Sequence, residues 1–241
     1  MSLKYKHFLV LFFGVIVLTS CKEDEKLTPL SALNVFNATA DLPSVKVNTL
    51  GTPIDYAAYP DVITYGTNRL YSIPASNREI SGVATVTPAQ NVFSFSQKFQ
   101  PGGIYSLFLA GQMPTVESIF LEEHFPSYAM ADSSLAVRVI NLSPNSAPVN
   151  VTLSATPTVN EFTGIAYKQL SDFKKYSAKT GVSNTAFNFQ VRNASGALLS
   201  SYAFTAANLT AARWRSVTLV LRGLAGGSGS NALAVSYIGN Y

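Results

Sequence analysis

The chain repeats itself. Leu33-Asn34-Val35-Phe36-Asn37 returns as Val137-Arg138-Val139-Ile140-Asn141, about 104 residues later. After a short Pro-containing turn, Val45-Lys46-Val47 returns as Val149-Asn150-Val151. Farther on, Tyr105-Ser106-Leu107-Phe108-Leu109-Ala110-Gly111 lines up with Val217-Thr218-Leu219-Val220-Leu221-Arg222-Gly223. Three matches in the same order make two copies of one unit the organising feature of the sequence.

Within each copy the apolar residues alternate: Phe93 with Phe95, Phe187 with Phe189 and Val191, Val217 with Leu219 and Leu221, Leu233 with Val235 and Tyr237. A period of two means strands with one buried face. Thr87-Pro88-Ala89-Gln90-Asn91 and Arg192-Asn193-Ala194-Ser195-Gly196 interrupt the alternation at matching places and read as hairpin connections. No segment shows a sustained helical period with caps. The expectation is therefore an all-β chain of two tandem Ig-like antiparallel β-sandwich domains, residues 31–124 and 135–241, joined by a linker at 125–134. The boundary is placed in Glu122 to Ser134, where Glu122-Glu123-His124, Pro126 and Asp132-Ser133-Ser134 break the pattern.

The first twenty residues are of another kind. Lys4 and Lys6 precede an apolar run from Phe8 to Leu18, followed by Thr19 and Ser20. That is a secretory signal, residues 1–20, whose apolar core is about half the roughly twenty residues a membrane-spanning helix needs. Leu18-Thr19-Ser20-Cys21 resembles the bacterial lipobox, which implies cleavage before Cys21, a thioether to diacylglycerol on its sulfur and N-acylation. One acyl chain holds a protein to a membrane only marginally at about 0.8 kcal/mol per methylene, so two or three give a lasting anchor.

Residues 21–30 then form a tether in which Lys22-Glu23-Asp24-Glu25-Lys26 gives way to Leu27-Thr28-Pro29. Solvated spacing from the membrane accounts for such a stretch. It also resembles the export signal that follows the lipidated cysteine in surface lipoproteins of Bacteroidetes, which implies an outer-membrane protein facing outward.

The repeated segments resemble the domain of unknown function 4397 (DUF4397), a tandem Ig-like β-sandwich common in cell-envelope lipoproteins of Bacteroidetes. The resemblance is carried by Val139-Ile140-Asn141-Leu142-Ser143-Pro144 and Val149-Asn150-Val151 in the second copy, and by Thr64-Tyr65-Gly66 and Ile73-Pro74-Ala75 in the first. Ala166-Tyr167-Lys168 replaces the glycine form in the second copy, and the Asp-Gly hairpin that often follows the Val-x-Val strand is missing from both. These are turn and core positions. The resemblance implies a fold and an address, with no catalytic residues to carry over.

Cys21 is the single cysteine, so a disulfide within the chain is excluded and stability must come from packed cores. Charged residues are 12% of the chain against 47% apolar, the balance of a folded body and not of a disordered stalk. Lys4 and Lys6 leave with the signal, which takes two from the formal charge of +4, and the other basic residues are scattered. Nucleic-acid binding has no support in that distribution.

Catalytic chemistry has little to work with. His7 leaves with the signal, so His124 is the only histidine of the mature chain. It lies at the domain boundary, which suits neither a catalytic triad nor, beside only Glu122 and Glu123, a metal site of three or four converging ligands. A solvated interdomain connection is the preferred reading. Asp41, Asp55, Asp61, Glu161 and Asp172 form no recognisable carboxylate motif. Gly223-Leu224-Ala225-Gly226-Gly227-Ser228-Gly229-Ser230 lacks the Gly-Lys-Ser/Thr ending of a phosphate loop and reads as a connection between the last two strands.

Two aromatic groups are candidate binding residues. Trp214 between Arg213 and Arg215 offers an indole that can stack on a sugar or grip an acidic partner. The structural alternative, that the strand bends and Trp214 caps the sandwich, is preferred because tryptophan is highly buried on average. Tyr65 and Tyr71, with Tyr56, Tyr59 and Arg69, form the second group, and ordinary β propensity accounts for them as well. Lys168, Lys174, Lys175 and Lys179, around Phe173 and Tyr176, mark an exposed edge strand protected against pairing more readily than a site for an acidic ligand.

The sequence points to a lipid-anchored, non-enzymatic binding or adhesion module without cofactor or metal. Its partners are the membrane, through lipid on Cys21, and a glycan or protein. A glycan-capturing accessory of a nutrient-uptake system and a structural envelope protein are the alternatives.

Overall fold

The computed structural model describes residues 28–85, 89–129, 131 and 133–240. The signal segment, Cys21 and the charged stretch 22–26 lie outside the described residues, as do Thr87, Pro88 and Asp132. The described chain is nearly all β and is arranged as two sandwich-like domains.

The first domain runs β1 (Leu30–Asn37), β2 (Ser44–Asn48), β3 (Ile63–Thr64), β4 (Asn68–Pro74), β5 (Asn77–Ala84), β6 (Gln90–Lys98), β7 (Ile104–Gln112) and β8 (Thr115–Glu122). The second runs β9 (Ser134–Asn141), β10 (Val149–Leu153), β11 (Thr156–Ile165), β12 (Lys174–Ser177), β13 (Asn188–Arg192), β14 (Leu198–Ala203), α1 (Ala206–Ala211), β15 (Ser216–Arg222) and β16 (Ala234–Gly239). Each domain pairs two four-stranded sheets, β4-β1-β7-β8 with β3-β2-β5-β6 and β12-β9-β15-β16 with β11-β10-β13-β14. Strand for strand the two domains have the same order in both sheets, in keeping with the sequence repeat.

Alternation sends Leu33, Val35, Tyr105 and Leu107 inward against Val45, Val47 and Ile80, and Val137, Val139, Val217 and Leu219 inward against Val149, Val151, Phe189 and Val191. The asparagine that ends the first strand of each copy has a local task. Buried Asn37 Oδ1 accepts from the Thr39 N–H at 3.2 Å, and its Nδ2 donates to the Leu42 carbonyl at 3.1 Å. Asn141 accepts from the Ser143 N–H at 3.0 Å and donates to the Ile165 carbonyl at 3.1 Å. Each amide satisfies buried loop backbone that no strand partner reaches.

Three features depart from the expectation. The pairing is not wholly antiparallel, because β1 lies parallel to β7 and β9 parallel to β15. A short helix, α1, occupies residues read as non-helical; Thr205 caps it by accepting from the Asn208 N–H at 3.1 Å. Most important, β7, β9 and β15 are buried on both faces.

The cause of that double burial is the packing of one domain on the other. Phe36, Ala38, Phe108 and Ala110 form one continuous apolar cluster with Ile140, Leu142, Val220 and Ile238. Phe36 and Phe108, out of phase with Val35 and Leu107, lie 6.4 Å apart between ring centroids. Their repeat counterparts are Ile140 and Val220, so the duplicated unit meets its own copy through equivalent positions, as in an isologous dimer. The sheets β4-β1-β7-β8 and β12-β9-β15-β16 thereby face each other across a buried seam.

Candidate functional site

The seam claims several residues that the sequence offered for binding. Tyr65 lies beneath Arg222 of the second domain, whose guanidinium is 4.7 Å from the ring centroid. Arg222 Nε donates to Ser236 Oγ at 2.7 Å, and that hydroxyl donates to the Gly66 carbonyl at 3.1 Å. Tyr167, the counterpart of Tyr65, crosses the other way and donates to Glu117 Oε1 at 2.9 Å, while Lys168 closes an ion pair with the same carboxylate. That Lys168 bond, chiefly, holds the Glu117 carboxyl below its ordinary range. Burial, then the Glu117 bond, pushes the Tyr167 hydroxyl up. Asp41 and Asn231 form a further tie near the same end, with Gln112 Nε2 donating to Asp41 Oδ2 at 2.8 Å.

The boundary segment is only partly solvated, with His124, Ser127 and Ala129 exposed and their neighbours packed. Glu123 is buried and pairs with buried Arg138 at 2.6 Å. Arg138 Nε also donates to Thr218 Oγ1 at 2.9 Å, and its guanidinium lies 4.5 Å from the Phe173 ring centroid. Phe125 packs edge-on against Phe173, and Tyr128 donates to the Arg215 carbonyl at 2.8 Å. With Glu123 engaged, exposed His124 has no carboxylate pair to complete a metal site, and no group of three metal-ligating side chains gathers among the described residues.

Tyr71 is a core residue, 8% exposed, and not part of a binding face. Arg69 pairs with Asp61 at 2.6 Å, and its guanidinium lies 5.9 Å from the Tyr71 ring centroid. The tyrosine cluster of the sequence is thus divided in part: Tyr71, in the core, keeps Arg69 and Tyr59 within electrostatic reach, whereas Tyr65 lies in the seam and Tyr56 is partly exposed beside Ser81. Two of the four lysines fall where the edge-strand reading puts them: Lys174 and Lys175 lie on β12, an edge of its sheet, where Lys174 pairs with Glu161 and Lys175 lies 4.9 Å over the Tyr128 ring, whereas Lys168 is drawn into the seam and Lys179 lies beyond the strand.

Trp214 corrects the capping expectation. The chain does bend there, with φ at +56°, but the indole points outward and is 46% exposed. Arg213 beside it donates through Nε to the Ala178 carbonyl at 2.7 Å, and exposed Arg215 lines a cleft of about 180 Å³ between the domains with Asn34, Tyr105 and Asn240. Trp214, Tyr65 and Tyr71 are not brought together.

A site that sequence reasoning missed lies on the outer sheet of the first domain. Asn48, Ser81 and Ser94 stand side by side across β2, β5 and β6. They face away from the core because Val47, Ile80, Phe93 and Phe95, in the opposite phase, turn toward it. The loop after β2 folds back over them: Asn48 Oδ1 accepts from the Leu50 N–H at 2.9 Å and its Nδ2 donates to the Thr52 carbonyl at 2.8 Å. Lys46 Nζ holds the returning chain by donating to the Tyr56 carbonyl at 2.6 Å.

The result is a cleft of about 320 Å³ with Asn48, Glu79, Ser81, Asn91 and Ser94 among its lining residues and Tyr56 and Ile54 at its apolar side. The Tyr56 hydroxyl lies 3.1 Å from Ser81 Oγ, and Ser94 Oγ donates to Glu79 Oε1 at 2.5 Å. Hydroxyl, amide and carboxylate groups beside one aromatic ring can hold a small ligand rich in hydroxyls, whose donors and acceptors they match while its C–H face meets the ring. The signal in the sequence was faint, since it lay in the polar phase of strands whose apolar phase carried the fold.

No family model and no curated protein matches the chain.

Proposed function

We propose that this protein is a lipid-anchored, non-catalytic binding module of the bacterial outer membrane, facing outward, and that a glycan is the ligand of the first domain. The observation that carries the reading is the cleft on the outer sheet, where Asn48, Glu79, Ser81, Asn91 and Ser94 surround Tyr56. Polar side chains fixed on paired strands keep their spacing, which suits recognition of a rigid sugar ring. The lipobox resemblance at Cys21 and the DUF4397 resemblance support the address and the envelope setting. A packed apolar seam between the domains supports a rigid body that holds this cleft at a constant position relative to the anchor.

The reading is tested by screening the protein against soluble glycans and measuring affinity by calorimetry. The first expected result is that one glycan class binds. Tyr56→Ala should then weaken it about tenfold, the loss of one ring contact and one hydrogen bond, and Glu79→Gln should weaken it without unfolding the domain. If no glycan binds, or if both variants bind as the parent does, the glycan reading is overturned and the structural envelope role takes its place.

A further inference from the structure

The end of the molecule at which β1, β7, β9 and β15 begin is unlike the other. Both domains share it: Ile104 and Tyr105 at the start of β7 line one cleft with Arg215 at the start of β15, while the far ends meet through Gly66 and Ser236. Leu30 opens β1 here and is 53% exposed, Leu50 follows β2 here and is 52% exposed, and Trp214 precedes β15. These are three of the seven exposed large apolar side chains among the described residues. Around them stand exposed Lys98, Lys179 and Arg215, with partly buried Arg213. Of the acids described at this end, Glu122 and Glu79, the latter opposite Leu50 in the continued β2–β5 register, are exposed, and Glu123 is buried against Arg138.

Trp214 has a left-handed backbone and an exposed ring. Its counterpart in the first domain is Gly102, and the two make the same contact: each N–H donates at 2.8 Å to the residue opening the neighbouring strand, Leu30 or Ser134. Gly102 has φ at +71° and Trp214 at +56°. A left-handed conformation disfavours L side chains, bulky ones most. The first domain fills the place with glycine, whereas the second fills it with the only tryptophan of the chain and leaves the ring in water.

The chain leading out of the structure selects the occupant. It departs from this same end, before Leu30, and the stretch from Cys21 to Leu30 spans at most about 30 Å when extended. We infer that this end rests on the lipid headgroups, with Trp214 at the water–lipid boundary and the basic side chains over anionic phosphates. Tryptophan suits that boundary because its ring is apolar and its N–H can stay hydrogen-bonded. Lysine and arginine add electrostatic attraction to anionic lipid. The inference rests on the anchored reading for what brings a membrane near; the contact itself belongs to the folded domains.

The experiment uses residues 21–241, whose one thiol, Cys21, is coupled to a maleimide-bearing lipid in vesicles of phosphatidylcholine and phosphatidylglycerol. Emission of the single tryptophan should shift to the blue and be quenched by a spin label on the lipid headgroup, and both effects should fade with salt. Arg215→Glu with Lys179→Glu should reduce the quenching. Trp214→Gly with Leu198→Trp moves the indole to an exposed position at the opposite end, where quenching should be absent.

Absence of quenching at Trp214, or equal quenching from position 198, overturns the inference. So does a shift produced by free saccharide and not by vesicles, which would give the indole to a sugar. Fatty-acid labelling of Cys21 against Cys21→Ser in cells tests the anchor separately, so failure of one reading is distinguishable from failure of the other.

Discussion

Arg138 and Glu123 form a buried ion pair, 2.6 Å from nitrogen to oxygen, that ties the last residues of the first domain to the first strand of the second. Thr218 and the Phe173 ring complete the arginine's surroundings, and Asn240 Nδ2 donates to the same Thr218 hydroxyl at 2.9 Å. Such a pair is costly to break singly, because one partner is left charged and desolvated. Arg138→Met should destabilise the protein by about 3–5 kcal/mol. Combining it with Glu123→Leu should recover much of that loss. Urea unfolding of the two single variants and the double variant checks this as a double-mutant cycle.

Gly66 is required by the seam. Its φ is +78°, and a Cβ there would lie 2.6 Å from the Arg222 guanidinium carbon. Gly66→Ala should therefore cost about 1–3 kcal/mol by overpacking. The variant should also loosen the packing between domains, read as faster amide exchange in β9 and β15. Arg222→Ala should relieve the contact but not the backbone strain, so the double variant recovers only part of the loss.

Trp214→Gly should stabilise the fold. Release from the left-handed region is worth about 1–2 kcal/mol to a non-glycine residue, and an exposed indole has little packing to lose. Denaturant midpoints of the parent and Trp214→Gly check the sign. A large destabilisation would mean that the ring packs on a surface the structure leaves open.

Alkaline pH should unfold the protein. Burial raises the hydroxyls of Tyr71 and Tyr176 above the ordinary value near 10, with the Glu161 bond adding to the rise at Tyr176, and Tyr167 is raised by burial and by Glu117. A raised acid favours the protonated form in the folded state. The stabilisation is fully present below pH 10 and is lost as pH climbs above it, where only the unfolded chain releases these protons. Tyrosinate absorbance should lag behind that of free tyrosine and then rise together with loss of structure. Independent titration of these residues in a chain that stays folded would contradict the assignment.

The fold was legible wherever one face of a strand was buried. Val35 with Leu107 and Val139 with Leu219 carry period two, and the repeat carries the topology. The seam was not legible, because Phe36, Phe108, Ile140 and Val220 look in sequence like ordinary apolar residues in the wrong phase. Only knowledge that a second copy covers them explains the phase. The same cause hid the roles of Tyr65 and Tyr167, whose partners lie more than a hundred residues away for Tyr65 and fifty for Tyr167. Helix α1 was missed because six residues are too few for a period, although Thr205 and the alanines behind it are good local signals.

The central claim is a binding module held on the outer face of the cell by lipid on Cys21, and protease shaving of intact cells tests it most directly. The protein is followed by antibody, with a periplasmic protein as the leakage control and lysed cells as the control for cleavability. The account predicts loss of the described domains while the periplasmic protein survives, and release of the whole protein from the membrane in Cys21→Ser. Full protection in intact cells, with cleavage after lysis, would contradict it and place the two sandwiches inside the envelope.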